Sequence, residues 1–187
     1  LIATAEGAHK EIENVLQRMR EIAVQAGNDT NNTQDRKNLQ AEMDAMVTEI
    51  DRISHATTWA GSSLLNGDAA GAVDTNATFS LQVGSATGTQ NQISVSIGSM
   101  TAETLNLNEA TTNDSLVLVI ADTEITADDH TVNGGSATAT GNALEAITLI
   151  DTAIKTVNTQ RSNLGATSNR LNHTVNNLTN ISSNLSS

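Results

Sequence analysis

The chain of 187 residues has no cysteine, no proline and no tyrosine, and holds one tryptophan and one phenylalanine. Each absence removes a class of function. Without thiols there are no disulfides, no thiolate nucleophiles and no cysteine-based zinc sites. Two aromatic rings cannot fill the bulky core of a usual globular enzyme, in which such rings supply much of the buried area. Basic residues are missing from the whole middle of the chain: between Ile53 and Ile154 there is no Lys or Arg, against eleven acidic side chains. With a net charge of −12 the chain lacks the basic footprint that nucleic acid requires. No apolar run approaches the ~20 residues of a membrane span.

What remains is small and polar. Thr, Asn and Ser together make up 63 of the 187 residues. The charge divides the chain into three parts. Residues 1–52 balance at −4, the middle at about −11, and residues 155–187 at +3 with no acidic side chain at all. Ends of opposite sign suit ends that lie against each other, although salt weakens that coupling. The chain opens on Leu1 in mid-pattern, without an initiator Met, and reads as a piece excised from a longer one.

Periodicity predicts a first helix from about Thr4 to Ala26, with Ile12, Val15, Leu16, Met19, Ile22, Ala23 and Ala26 on one stripe. Gly27 is a natural stop, and Asn32 or Thr33 a natural N-cap for a second helix over about Gln34–Ser54. The apolar residues of that helix, Leu39, Met43, Met46, Ile50 and Ile53, step as a heptad seam with Val47 beside it. A third helix is predicted from about Asn142 to Leu185. Ile147, Ile150, Ile154, Val157, Leu164, Leu171, Val175 and Leu178 share one heptad frame, with Arg161 and Ser168 in two of its core slots. A helix of that length without caps signals a coiled coil, and its Asn, Thr and Ser are mediocre helix formers, so its stability must come from partners.

The middle reads as β. Phe79, Leu81 and Val83 alternate with polar residues, Gly84 to Gly88 turn the chain, and Ile93, Val95 and Ile97 alternate again: a hairpin. Leu116 to Ile120 is predicted as a strand buried on both faces, and Thr126 to Thr140 as a turn-rich loop or second hairpin. Catalytic chemistry is absent from the pattern. His9, His55, His130 and His173 have no helical metal-ligand spacing, and Asp128-Asp129-His130 reads as an acidic turn. There is no Gly-x-Ser-x-Gly nucleophile elbow. Gly134-Gly135 lacks the strand–loop–helix context of a phosphate cradle. No metal and no cofactor is expected.

The residues of the first helix carry a resemblance. Leu16-Gln17-Arg18-Met19-Arg20-Glu21-Ile22-Ala23-Val24-Gln25 is similar to the bacterial flagellin segment Leu-Gln-Arg-Val-Arg-Glu-Leu-Ala-Val-Gln. Glu49-Ile50-Asp51-Arg52-Ile53 stands where that family has Glu-Ile-Asp-Arg-Val/Ile. Thr58-Trp59-Ala60-Gly61 resembles Thr-x-Phe-Asn-Gly, with Trp59 and Ala60 departing from the usual Phe-Asn. Leu81-Gln82-Val83-Gly84 and Gln92-Ile93-Ser94 look like the family's hairpin. Gln160-Arg161-Ser162-Asn163-Leu164-Gly165-Ala166, Asn169-Arg170-Leu171 and Asn176 to Ile181 resemble its C-terminal helix. The set runs in order over residues 1–107 and 141–187.

The resemblance implies an α+β chain. Its architecture would be an elongated α-helical rod, two N-terminal helices packed on one long C-terminal helix, with a β-hairpin and a small β-rich outer insertion. The implied divisions are 1–56 for the N-terminal helical half of the rod, 57–107 for the turn and hairpin, 108–140 for the variable insertion and 141–187 for the long helix. The insertion is below the ~40 residues at which a fold needs outside help, which speaks against a catalytic domain. The implied function is that of a structural, secreted subunit of the flagellar filament, whose partners are other flagellin subunits. A fragment without the terminal inner-tube segments is expected to be monomeric. A hook–filament junction protein, which also has helical ends, fits less well because of the Leu16–Gln25 and Gln160–Leu171 motifs, and an adhesin stalk because helices bracket the β region and no motif repeats. On the first helix Glu11, Asn14, Arg18, Glu21 and Gln25 form one polar face. In flagellins that face contacts the next subunit and is gripped by the host Toll-like receptor that senses flagellin. Matched residue by residue, Leu16, Gln17, Arg18 and Ile22 fall on the receptor motif, and Glu42 on an acidic contact of the second helix.

Overall fold

The computed structural model describes residues 1–28, 31–67, 76–84, 91–109, 114–115 and 139–185. The expected strand at Leu116 to Ile120, nearly all of the Thr126–Thr140 loop, the Asp128-Asp129-His130 turn and the tip of the first hairpin lie outside them. Helix α1 spans Ile2–Ala26, α2 Thr33–Ala56 and α3 Ala139–Leu185. Between α2 and α3 come the short strands β1 (Thr58–Trp59) and β2 (Ser62–Ser63) and the longer pair β3 (Ala77–Gln82) and β4 (Gln92–Ile97). Two brief strands follow, β5 (Asn108–Glu109) and β6 (Asp114–Ser115). Each pair forms its own antiparallel ladder.

Helix α1 is the central element, packed on both α2 and α3. Its buried residues Ala5, His9, Ile12, Leu16, Met19, Ile22, Ala23 and Ala26 recur at three and four, so one apolar stripe serves both neighbours. Ion pairs fix the direction of α3: Arg161 meets Glu13 at 2.5 Å and Asp151 meets Arg20 at 2.7 Å. As the number rises on one helix it falls on the other, so the two are antiparallel. Chain ends of opposite sign do lie together, although the Arg20–Asp151 pair runs against the expected polarity.

The seam on α3 differs from the expected frame. Ala143, Ala146, Ile150, Ala153, Val157 and Leu164 are buried, whereas Ile147, Ile154 and Leu171 are half-buried and Val175 and Leu178 exposed. The alanines take the seam because α1 comes close: at Gly27 an added Cβ would lie 3.5 Å from the Ala143 Cβ. The larger isoleucines flank the contact. On α2 the buried set is Leu39, Met43, Val47, Ile50 and Ser54, with Met46 and Ile53 half-buried, a single stripe where a heptad seam was expected.

The boundaries follow local chemistry. Asn32 caps α2 with a reciprocal box: its side chain accepts from the Asp35 amide at 2.9 Å, and the Asp35 carboxylate accepts from the Asn32 amide at 3.2 Å. Gly27 ends α1 with φ −70°, so the stop does not use a left-handed glycine. In the β3–β4 hairpin Phe79 pairs with Val95 and Leu81 with Ile93, which puts the apolar residues of both strands on one face, and β4 packs on α3. The chain after β4 is pinned to α2 by Ser54, whose hydroxyl donates to the Met100 carbonyl at 2.6 Å, and by Asp51, which accepts from the Ala102 amide at 2.7 Å.

Two sites are locally suboptimal. Ala60 holds φ 51° in the two-residue turn between β1 and β2, where an L-residue without a polar side chain is strained by ~1–2 kcal/mol. Ala60→Asn should raise stability by about 0.5–1 kcal/mol in urea titration, since Asn tolerates this region. Gly165 lies within α3 with nothing inside 4 Å of an added Cβ. Gly165→Ala should therefore add about 1 kcal/mol, read as a higher melting temperature of the helical circular dichroism.

Candidate functional site

The residues of the polar face of α1, Glu11, Asn14, Arg18, Glu21 and Gln25, are all exposed, and so is Gln17. Arg18 organises it. Its Nε and Nη2 donate to one oxygen of Glu42 at 3.1 and 2.7 Å, and its Nη1 donates to Glu21 at 3.0 Å. The planar guanidinium thus spans two carboxylates, one a turn away on its own helix and one on α2. Hydrogen bonding to Glu42, then to Glu21, raises the Arg18 pKa further above its ordinary value. Half of the Arg18 side chain and 38 % of Glu42 remain exposed. The result is a fixed, solvent-facing arrangement of one cation between two anions, with Gln17 beside it.

The five residues marked from the sequence are therefore divided. Gln17, Arg18 and Glu42 are on this surface. Leu16 and Ile22 are not: both are buried in the core. Leu16 lies two residues from Arg18, some 200° around the helix, among Ile12 and Met19. Ile22 is one turn from Arg18, on the buried stripe. Glu21, on the same polar face, joins the site through its hydrogen bond to Arg18.

Other functional contacts escaped sequence reasoning. Glu13, only 15 % exposed, receives both Lys10 at 3.2 Å and Arg161. That explains why Arg161 fits a core slot of the α3 frame: its charge is met there. Hydroxyl-bearing residues of α3 also have a role. Thr148, Thr152, Thr156, Thr159, Thr167, Thr174 and Thr179 each donate to the carbonyl four residues earlier at 2.9–3.1 Å. Among the described residues no group of three or more His, Asp or Glu side chains is placed to hold a metal ion.

Comparison with known proteins assigns this architecture. The bacterial flagellin N-terminal helical region matches residues 1–70, and the bacterial flagellin C-terminal helical region matches residues 147–187. The chain is 38 % identical over 185 residues to a flagellin of Halalkalibacterium halodurans, covering 99 % of this chain and 56 % of that one. To a flagellin of Bacillus subtilis it is 39 % identical over 180 residues, covering 91 % and 56 %. It thus spans about half the length of these curated relatives. Among solved structures, the Bacillus cereus flagellin superposes with a TM-score of 0.64 at 27 % identity, over 94 % of this chain and 82 % of that one. Burkholderia pseudomallei FliC shares the fold at a TM-score of 0.64, 21 % identity and coverages of 90 % and 98 %. With both helical regions matched at the two ends of the same antiparallel rod, the chain belongs to the bacterial flagellin family.

Proposed function

We propose that the chain is the rod of a flagellar filament subunit, secreted and extracellular, with a structural and not a catalytic role. The observation that carries this reading is the continuation of the α3 frame past α1. Leu178 and Ile181, 40 and 48 % exposed, continue the buried seam of Ala146, Ile150, Ala153, Val157 and Leu164, and Val175, 57 % exposed, follows the flanking Ile147 and Ile154. An apolar stripe continued into solvent suits packing among helices of an assembly. Among the described residues no helix is long and apolar enough to cross a membrane. The divisions proposed are the helical half at 1–56, the turn and hairpin at 57–107, the outer insertion at 108–140 and the long helix at 141–187.

In this reading the Arg18–Glu21–Glu42 surface, with Gln17, is the contact face of α1 and α2. It meets the neighbouring subunit, and the host Toll-like receptor that senses flagellin grips it when the subunit is free. A preorganised guanidinium is suited to such an anchor, because little of its rotational freedom remains to be lost on binding. Leu16 and Ile22 support the face from beneath and touch no partner.

Two experiments bear on the two roles. Exchanged for the corresponding segment of full-length Bacillus subtilis flagellin, the chain should polymerise on filament seeds. The isolated chain should sediment as a monomer, since the patch of Val175, Leu178 and Ile181 falls far short of the ~1,200 Å² that a stable interface buries. The other exposed large apolar side chains among the described residues, Val24, Trp59 and Leu144, lie on other parts of the chain. A folded chimera that never adds to seeds would remove the filament reading. For the receptor, Arg18→Ala should reduce signalling strongly in a reporter assay while leaving the helical circular dichroism as it was. An unaltered dose response would sink the receptor role.

A further inference from the structure

His9 lies on the apolar stripe of α1, fully buried in the rod. Its Nδ1 is 2.7 Å from the Ala5 carbonyl oxygen. A carbonyl oxygen only accepts, so Nδ1 carries the proton and the neutral ring leaves Nε2 as a bare acceptor. Among the described residues that Nε2, itself buried, has no hydrogen-bond partner. No carboxylate among the described residues is hydrogen-bonded to the ring. Arg161 of α3 is close enough to oppose its charge, and Lys10 adjoins it on α1. Glu13, one turn on, is committed to Arg161 and Lys10. At the same level of α2, Asp51 is committed to the Ala102 amide and Arg52 to Glu49, while His55 folds back on the Asp51 carbonyl. The remaining acidic group nearby in sequence is Glu6 on α1, and it is not hydrogen-bonded to the ring.

We propose that His9 is an acid-sensitive latch of the α1–α3 seam: neutral, it packs as part of the stripe; protonated at Nε2, it places an unpaired N–H cation inside the rod beside Arg161 and loosens the two helices. The proton comes from solvent and no bond other than N–H is made. Burial holds the imidazole below its ordinary value; the Ala5 carbonyl raises it in part, and Arg161 lowers it further. The direction of the effect follows. Above the free value of about 6.5 both folded and unfolded chains are neutral at this ring, and the seam has its full stability. As pH falls below that value the unfolded chain takes the proton first, so stability declines until the folded value is reached.

Urea titrations of the whole chain between about pH 7.5 and about pH 5.5 read this directly. The unfolding constant of the parent should rise toward tenfold per pH unit below about 6.5. In His9→Leu and His9→Gln that rise should vanish, whereas His173→Gln, at an exposed position of α3, should keep it. Parent and His9 variants with the same pH slope would overturn the latch. Nitrogen-15 NMR of the parent needs no variant. The ring should show the Nδ1–H tautomer, and the amide protection factors over residues 143–164, corrected for the intrinsic pH dependence of exchange, should fall in acid ahead of those in α2. An Nε2–H tautomer, or protection falling equally in both helices, would count against it.

Discussion

Everything else in the rod depends on the antiparallel contact between α1 and α3. It joins the two ends of the chain, and it buries Ala143, Ala146, Ile150, Ala153, Val157 and Leu164 of α3 in the same core cluster as the α1 stripe. Magnitudes separate its parts. Each large side chain moved from water into the stripe, such as Ile12, Leu16, Met19 or Ile150, contributes roughly 1.5–3 kcal/mol. The Arg20–Asp151 pair is nearly half exposed at both partners, where screening leaves ion pairs with little net effect. Apolar burial therefore holds the helices together, and the ion pairs select one register among the several that a 3–4 repeat allows. Glu13–Arg161 does this most strictly, because its carboxylate is largely covered and a slipped register would leave it without Arg161.

Much of this was legible in the residues. Helix existence, the Asn32 cap, the hairpin pairing and the opposed ends followed from period, turn chemistry and charge, because those signals are local. What was not legible required knowing how closely two helices approach. Hydrophobicity favours Ile147 and Ile154 as seam residues, yet the narrow contact takes Ala146 and Ala153. The same applies to the site. Resemblance supplied Arg18 and Glu42, but residues 24 apart in sequence meet only through the α1–α2 turn. Leu16 and Ile22 belong to the motif through their packing. A signal for His9 was present in the spacing, since Ala5, His9, Ile12 and Leu16 step four, three, four along one face. Histidine's usual polarity hides it from a hydrophobic pattern.

The shortage of aromatics and the surplus of Thr, Asn and Ser take on a structural meaning in this arrangement. A rod two or three helices thick has no deep interior for rings to fill, and a seam of Ala, Ile, Leu, Val and Met suffices. Threonine is a weak helix former, but along α3 its hydroxyls are satisfied on their own helix by the carbonyls one turn back. Along these turns the threonines present methyl groups to solvent with their hydroxyl donors already used.

That economy also limits where recognition can reside. If the Thr hydroxyls of α3 are internally committed and its basic residues are few, specific polar contacts must come from elsewhere on the rod. The exposed ionic cluster of Arg18, Glu21 and Glu42 has what α3 lacks: charge fixed in direction by three hydrogen bonds and placed on two helices at once. A partner that reads it must match the relative position of α1 and α2 as well as the side chains. The surface itself is tied to the folded rod, because unfolding would leave the motif residues in sequence and abolish the arrangement they form.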